Sequence, residues 1–99
     1  MDISPGLNHI KQKNFVTALN FFLKLEKNYK QDLNIFFYLG IVFYELGDFK
    51  KSIYYYEEIL KINANSINAL YNLAIVKQSI GEIETAKKIY NNLKKIDLD

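Results

Sequence analysis

Apolar side chains recur along this chain at helical spacing, and the whole pattern repeats after 34 residues. In the middle of the chain, Ile35, Phe36, Leu39, Val42, Phe43 and Leu46 fit one wide helical face. Gly47 follows and can take the left-handed conformation that ends a helix, and Asp48 can cap the next one. That second helix is predicted from about Phe49 to Ile62, with Ile53, Tyr56, Ile59, Leu60 and Ile62 facing inward. Asn63, Ala64, Asn65 and Ser66 break it, and Asn65 or Ser66 caps the helix after the break. The plan then recurs: one helix from about Ile67 to Ile80, a corner at Gly81, and another helix from about Ile83 to Lys95. Glu82 and Glu84 at its start and Lys94 and Lys95 at its end complement the helix dipole, and Glu84 is spaced to pair with Lys88. The beginning of the chain carries a shortened copy. Ser4 reads as a cap and Pro5 as the first helical residue of a brief helix to about Lys13, with Asn14 at the corner in place of glycine. A full-length helix runs from about Phe15 to Tyr29.

Aligning the three copies gives columns. Gly6, Gly40 and Ala74 form one small column; Ala18, Ser52 and Ala86 form another. Large columns are Phe15, Phe49 and Ile83; Phe22, Tyr56 and Tyr90; Leu25, Ile59 and Leu93. A fixed interval of this kind marks stacked supersecondary units, each burying its apolar face on the next. The small columns read as the points where paired helices cross closely, Gly40 against Ser52 and Ala74 against Ala86.

With Leu39-Gly40, Phe43, Gly47-Asp48-Phe49, Ser52, Tyr56 and Ile59 in the second copy, the chain resembles the tetratricopeptide repeat family. The third copy carries Leu73-Ala74, Gly81, Ile83, Ala86, Tyr90 and Leu93, and the first carries Gly6, Phe15, Ala18, Phe22 and Leu25. Phe36 and Leu70 stand where the family often has Trp, Ala64 where it often has Pro, and Lys77 where an aromatic is expected. The resemblance implies an all-α fold: a right-handed superhelix, or solenoid, of three antiparallel helix pairs in a single domain, with units of about 1–32, 33–66 and 67–99. It also implies a protein-binding groove lined by the first helix of each pair. The corresponding residues are Leu7, Ile10 and Lys11 in the first unit, with Ile3 near them. In the second they are Asn34, Phe37, Ile41, Tyr44 and Glu45; in the third, Asn68, Tyr71, Ile75, Gln78 and Ser79. One subgroup of the family clamps acidic chaperone tails with Lys, Arg and Asn. The matching positions here are Ile3, Leu7, Tyr38, Asn68 and Asn72, without a cation among them, so that ligand is not expected.

Composition narrows the rest. The chain has 99 residues, room for one domain, and is 49% hydrophobic with one Pro and four Gly, which favours helices over turn-rich β structure. It has no Cys, and its only histidine, His9, reads as a packing or surface residue, so metal ligation, cofactors and enzyme chemistry find no support. A net charge of +2 does not argue for nucleic acid. The lysines of the second helices read as a solvated face. No stretch reaches the roughly 20 apolar residues of a membrane span, and no basic start and apolar run of a signal peptide is present, so cytoplasmic localisation is expected. Lys87 and Lys94 stand in the slots of Ile53 and Leu60, which suggests that the array ends there with a polar face. Ile89, Leu93, Ile96 and Leu98 leave apolar surface on the same helix and a possible homodimer contact.

These readings converge on a protein–protein interaction module or scaffold. The expected ligand is an apolar peptide or amphipathic helix in the groove, with Phe37, Tyr44 and Tyr71 as anchors and Asn34, Asn68 and Gln78 bonding its backbone. Glu45 or Lys11 would set its charge preference. The alternative is a structural, self-associating array without a separate ligand.

Overall fold

Six helices form in chain order in a computed structural model that describes residues 1–98, with side chains described as far as Ile96. They are α1 (Ser4–Lys11), α2 (Phe15–Asn28), α3 (Leu33–Glu45), α4 (Phe49–Ile62), α5 (Ile67–Ser79) and α6 (Ile83–Leu98). The starts of α3, α4 and α5 follow from side chains that satisfy backbone N–H groups lacking a helical partner, whereas Asn14 before α2 makes no such bond. The Asp32 carboxylate accepts from Asn34 N at 2.9 Å and Ile35 N at 3.1 Å; Asp48 accepts from Lys51 N at 3.2 Å; Ser66 Oγ accepts from Ala69 N at 3.4 Å. The first helix departs from expectation. Ile3, not Ser4, occupies its cap position, and the Asp2 carboxylate accepts from Ser4 N at 2.9 Å. That bond holds the Asp2 carboxyl below its ordinary range.

The corners confirm two glycines and correct the third position. Gly47 and Gly81 have φ of +82° and +87°. The same column in the first unit holds Lys13, with φ +63°, so Lys13 makes the left-handed turn and Asn14 is the residue after it. Gln31 takes φ +61° between α2 and α3. Side-chain residues in this region are strained, and the first unit contains both of them.

Each helix packs on its chain neighbours, and α3 also touches α5, which makes an all-α repeat solenoid of three antiparallel pairs. The glycine column has a sharper reason than a helix crossing. A Cβ on Gly6 would lie 2.5 Å from Phe22 Cζ, and one on Gly40 would lie 2.5 Å from Tyr56 Cε1. The aromatic of the second helix lies flat against the first, so the small residue answers to the ring four positions beyond Ser52. Ser52 itself is fully buried and donates from Oγ to the Gly40 carbonyl at 2.7 Å.

The core centres on the middle unit: Ile35, Phe36, Leu39 and Phe43 of α3 and Tyr55, Tyr56 and Ile59 of α4, joined by Phe22, Ala69, Leu73 and Val76. Tyr55, not picked out by the apolar pattern, is buried, stacks on Phe43 at 5.8 Å and donates to Glu26 Oε1 at 3.1 Å, tying α4 to α2. Leu46 and Ile62, expected to face inward, are 40% and 57% exposed. Both sit at helix ends, where the chain turns away from the core. Glu84 pairs with Lys87 at 3.5 Å instead of Lys88. The lysines at 24, 27, 30, 50, 51, 61, 87, 88, 94 and 95 are all exposed, as a solvated face requires. Ile53 and Leu60 are half-buried, while Lys87 and Lys94 in the same slots are exposed. Ile89, Leu93 and Ile96 are half-buried, and the side chain of Leu98 lies outside the described residues.

Candidate functional site

The first helices carry the candidate residues onto three separate hollows. Near α1, Leu7 and Lys11 share one with Ser4, Pro5 and Asn8. Between α3 and α5, Ile41, Tyr44, Glu45 and Ile75 meet around a notch of about 200 Å³. Beside α6, Tyr71 shares a third with Ile67, Tyr90, Leu93 and Lys94. Phe37 is half-buried, its ring 5.4 Å from Tyr38 and 6.2 Å from Tyr56. Tyr44 is half-buried and Tyr71 is 52% exposed, so none of the three expected anchors is sealed in the core. Ile10 is half-buried. Asn34 and Asn68 are exposed in the first turns of α3 and α5. Gln78 is exposed and accepts from the Tyr90 hydroxyl at 3.4 Å.

The middle notch is the best-built of the three. Its walls are Ile41 and Ile75, with Val76 behind them and the Tyr44 and Tyr56 side chains beside them. Ser79 Oγ donates to the Ile75 carbonyl at 3.0 Å, which uses its only proton. The Tyr44 hydroxyl, 2.9 Å from the same oxygen, is therefore the donor of the bond that joins α3 to α5 along one wall. On the other side, Asn72 Nδ2 donates to the Tyr56 hydroxyl at 3.3 Å. Burial pushes the Tyr56 hydroxyl up to about 12, and the nearby Glu45 charge adds to the rise. Glu45 is exposed at the rim and makes no ion pair among the described residues.

The sequence pattern points to four of the notch residues and misses Tyr56, Asn72 and Val76. Tyr56 belongs to the core column, and only the fold shows that it also lines the notch between α3 and α5. Asn72 stands out in the sequence only as a clamp position. The clamp positions Ile3, Leu7 and Tyr38 are half-buried apolar or aromatic residues. His9 is half-buried, with Nδ1 lacking a hydrogen-bond partner among the described residues. No group of three or more His, Cys, Asp or Glu among the described residues is placed to hold a metal ion. No helix among them is long and apolar enough to cross a membrane.

Comparison with known proteins agrees with the fold. The tetratricopeptide repeat description matches residues 34–66 and again residues 68–96. The human intraflagellar transport protein 88 homolog is 28% identical over 104 residues, a match covering 100% of this chain and 12% of that protein. The curated relatives matched are longer: the chain spans between 12% and 37% of their length. The Yersinia enterocolitica type III secretion chaperone SycD, in complex with a peptide of the translocator YopD, superposes with a TM-score of 0.86 at 17% identity, covering 94% of this chain and 71% of that one. The first repeat domain of Spaghetti (RPAP3), bound to the HSP90 peptide SRMEEVD, superposes with a TM-score of 0.87 at 14% identity, covering 97% of this chain and 76% of that one. Likeness at this identity establishes the fold.

Proposed function

Since the chain belongs to the tetratricopeptide repeat family, we propose that it is a protein-interaction module whose first-helix face receives an apolar peptide segment or an amphipathic helix. The observation that carries this reading is the solvent-open notch between α3 and α5, with the apolar side chains of Ile41 and Ile75 on its walls and its shape fixed by the Tyr44–Ser79 bond. An apolar hollow held rigid before its ligand arrives avoids part of the ordering cost of association. Leu7 on α1, Phe37 on α3 and Tyr71 on α5 add apolar surface on the first helices. Two structural neighbours were solved with peptides bound, which supports a peptide as ligand class. The acidic peptide of one of them does not suit this chain, whose notch rim carries a carboxylate.

The test is selection of a phage-displayed random peptide library on the purified chain, followed by fluorescence anisotropy of the enriched peptides. Replacing Phe37 and Tyr71 together by alanine is expected to weaken binding at least about tenfold, since buried aromatics dominate such contacts, while far-UV circular dichroism stays unchanged. Retained affinity in the folded double variant would remove this face from the reading. A molar mass that grows with concentration in light scattering would favour self-association instead.

A further inference from the structure

The repeat supplies an internal control for the notch. A shift of 34 residues toward the N-terminus maps Tyr56 onto Phe22, Asn72 onto Tyr38, Ile75 onto Ile41 and Glu45 onto Lys11. At the earlier junction, between α1 and α3, the Tyr38 ring stacks on Phe22 with centroids 5.4 Å apart and a 21° interplanar angle. At the later junction the slot holds Asn72, which is smaller and hydrogen-bonds the Tyr56 hydroxyl instead of covering it. Asparagine, standing where the preceding unit has a ring, lines the notch beside the Tyr56 hydroxyl. The rim changes sign as well, from Lys11 to Glu45.

The open space has the shape and polarity of a receptor for one side chain. Of the residues lining the notch, Glu45 alone carries a charge, and it is not neutralised by a cation of this chain among the described residues. Ile41 and Ile75 offer aliphatic walls to a methylene stem. The half-buried Tyr44 ring borders the same space, and an aromatic ring attracts a cation. A long basic side chain matches both ends of this arrangement, with its stem on the walls and its charged head at the rim. An acidic one would meet Glu45, and a purely apolar one would gain nothing from that carboxylate.

We propose that the notch between α3 and α5 takes one lysine or arginine side chain of the segment that lies along the first-helix face. This inference rests on the peptide-binding reading above and specifies its ligand. It also sets the direction of the partner's charge at that point, which the net charge of the chain would not have suggested.

The experiment uses peptides enriched from the displayed library. Peptides sharing a lysine or arginine are expected. Replacing that residue by norleucine, which keeps most of the stem and removes the charge, should weaken binding about two- to fivefold. Glu45→Gln should cost a similar factor, and the two changes together little more than either alone. Asn72→Tyr copies the Tyr38 solution of the preceding unit; it should fill the notch and abolish the preference for a basic residue while apolar contacts elsewhere persist. Peptides that bind the Phe37 and Tyr71 face without a shared basic residue, or norleucine and Glu45→Gln effects that simply add, would overturn the inference and leave the peptide-binding reading standing. Enrichment of nothing, or binding indifferent to the Phe37 and Tyr71 double variant, would overturn both.

Discussion

α4 and α6 share one pattern and differ in their surroundings. In α4, Ser52, Tyr55, Tyr56 and Ile59 are buried. Their counterparts in α6 are Ala86, Ile89, Tyr90 and Leu93, and only Ala86 is buried. α4 lies between α3 and α5, whereas α6 packs on α5 alone. Burial of a side chain in this fold is therefore set by the neighbour on the far side as much as by its own sequence, as expected for stacked units that touch only adjacent ones. The aromatic column shows the consequence most clearly. Tyr56 lies against Gly40, 2% exposed; Tyr90 is half-buried and has its ring edge-on to Tyr71 at 6.2 Å.

Truncating the two rings breaks the comparison open. Tyr56→Ala is expected to cost ~3–5 kcal/mol in urea unfolding, a large part of the stability of a small domain, and Tyr90→Ala less than about 1 kcal/mol. Equal losses would mean that the terminal unit is as tightly packed as the central one. The alkaline limb of stability sharpens the same contrast. Burial raises the Tyr56 hydroxyl from its ordinary 10.0 to about 12, and burial together with the Glu26 bond raises Tyr55 further. A folded-state value above the unfolded one means that the stabilisation is complete below pH 10 and is lost as pH rises toward the folded value. For Tyr56 this window runs from about pH 10 to 12 and is worth about 2–3 kcal/mol. Tyr56→Phe should flatten part of that loss in circular dichroism melts across the window; an unchanged profile would contradict the buried hydroxyl. The smallest effects concern the glycine column. Gly40→Ala presses a methyl into the Tyr56 ring and should cost ~1–3 kcal/mol, whereas Ala74→Gly, where the third unit already accommodates the methyl, should cost about 0.5–1 kcal/mol through helix propensity alone.

Much of this architecture is legible in the sequence, because hydrophobic period and repeat step are local and redundant. The limits of α4 match the expectation, and those of α2, α5 and α6 lie within a turn of it. The cap of α1 escapes the pattern because Ser4-Pro5 carries the usual start signal while Asp2 does the capping. The first corner escapes it because a lysine in the glycine column conceals the column. Leu46 and Ile62 follow the helical stripe, but periodicity does not say where along a helix the core stops. Register places the candidate groove residues on the first helices, and seven of them line three hollows there: Leu7 and Lys11, then Ile41, Tyr44, Glu45 and Ile75, then Tyr71. The notch itself is not legible. Asn72 lines it where the preceding unit has the Tyr38 ring, and that difference matters only once each is known to lie beside the aromatic of the preceding second helix.

The dependence of each helix on its immediate neighbours also bears on how the chain reaches this state. Nearly all packing joins segments consecutive along the polypeptide, with α3 on α5 and the Tyr55–Glu26 bond between α4 and α2 as exceptions. Low contact order of this kind implies rapid acquisition of structure. The α3–α4 hairpin, which holds most of the buried aromatics, is the natural nucleus. Growth from it can proceed in both directions, and the short α1, with its strained corner at Lys13, would be the last segment to attach and the first to fray.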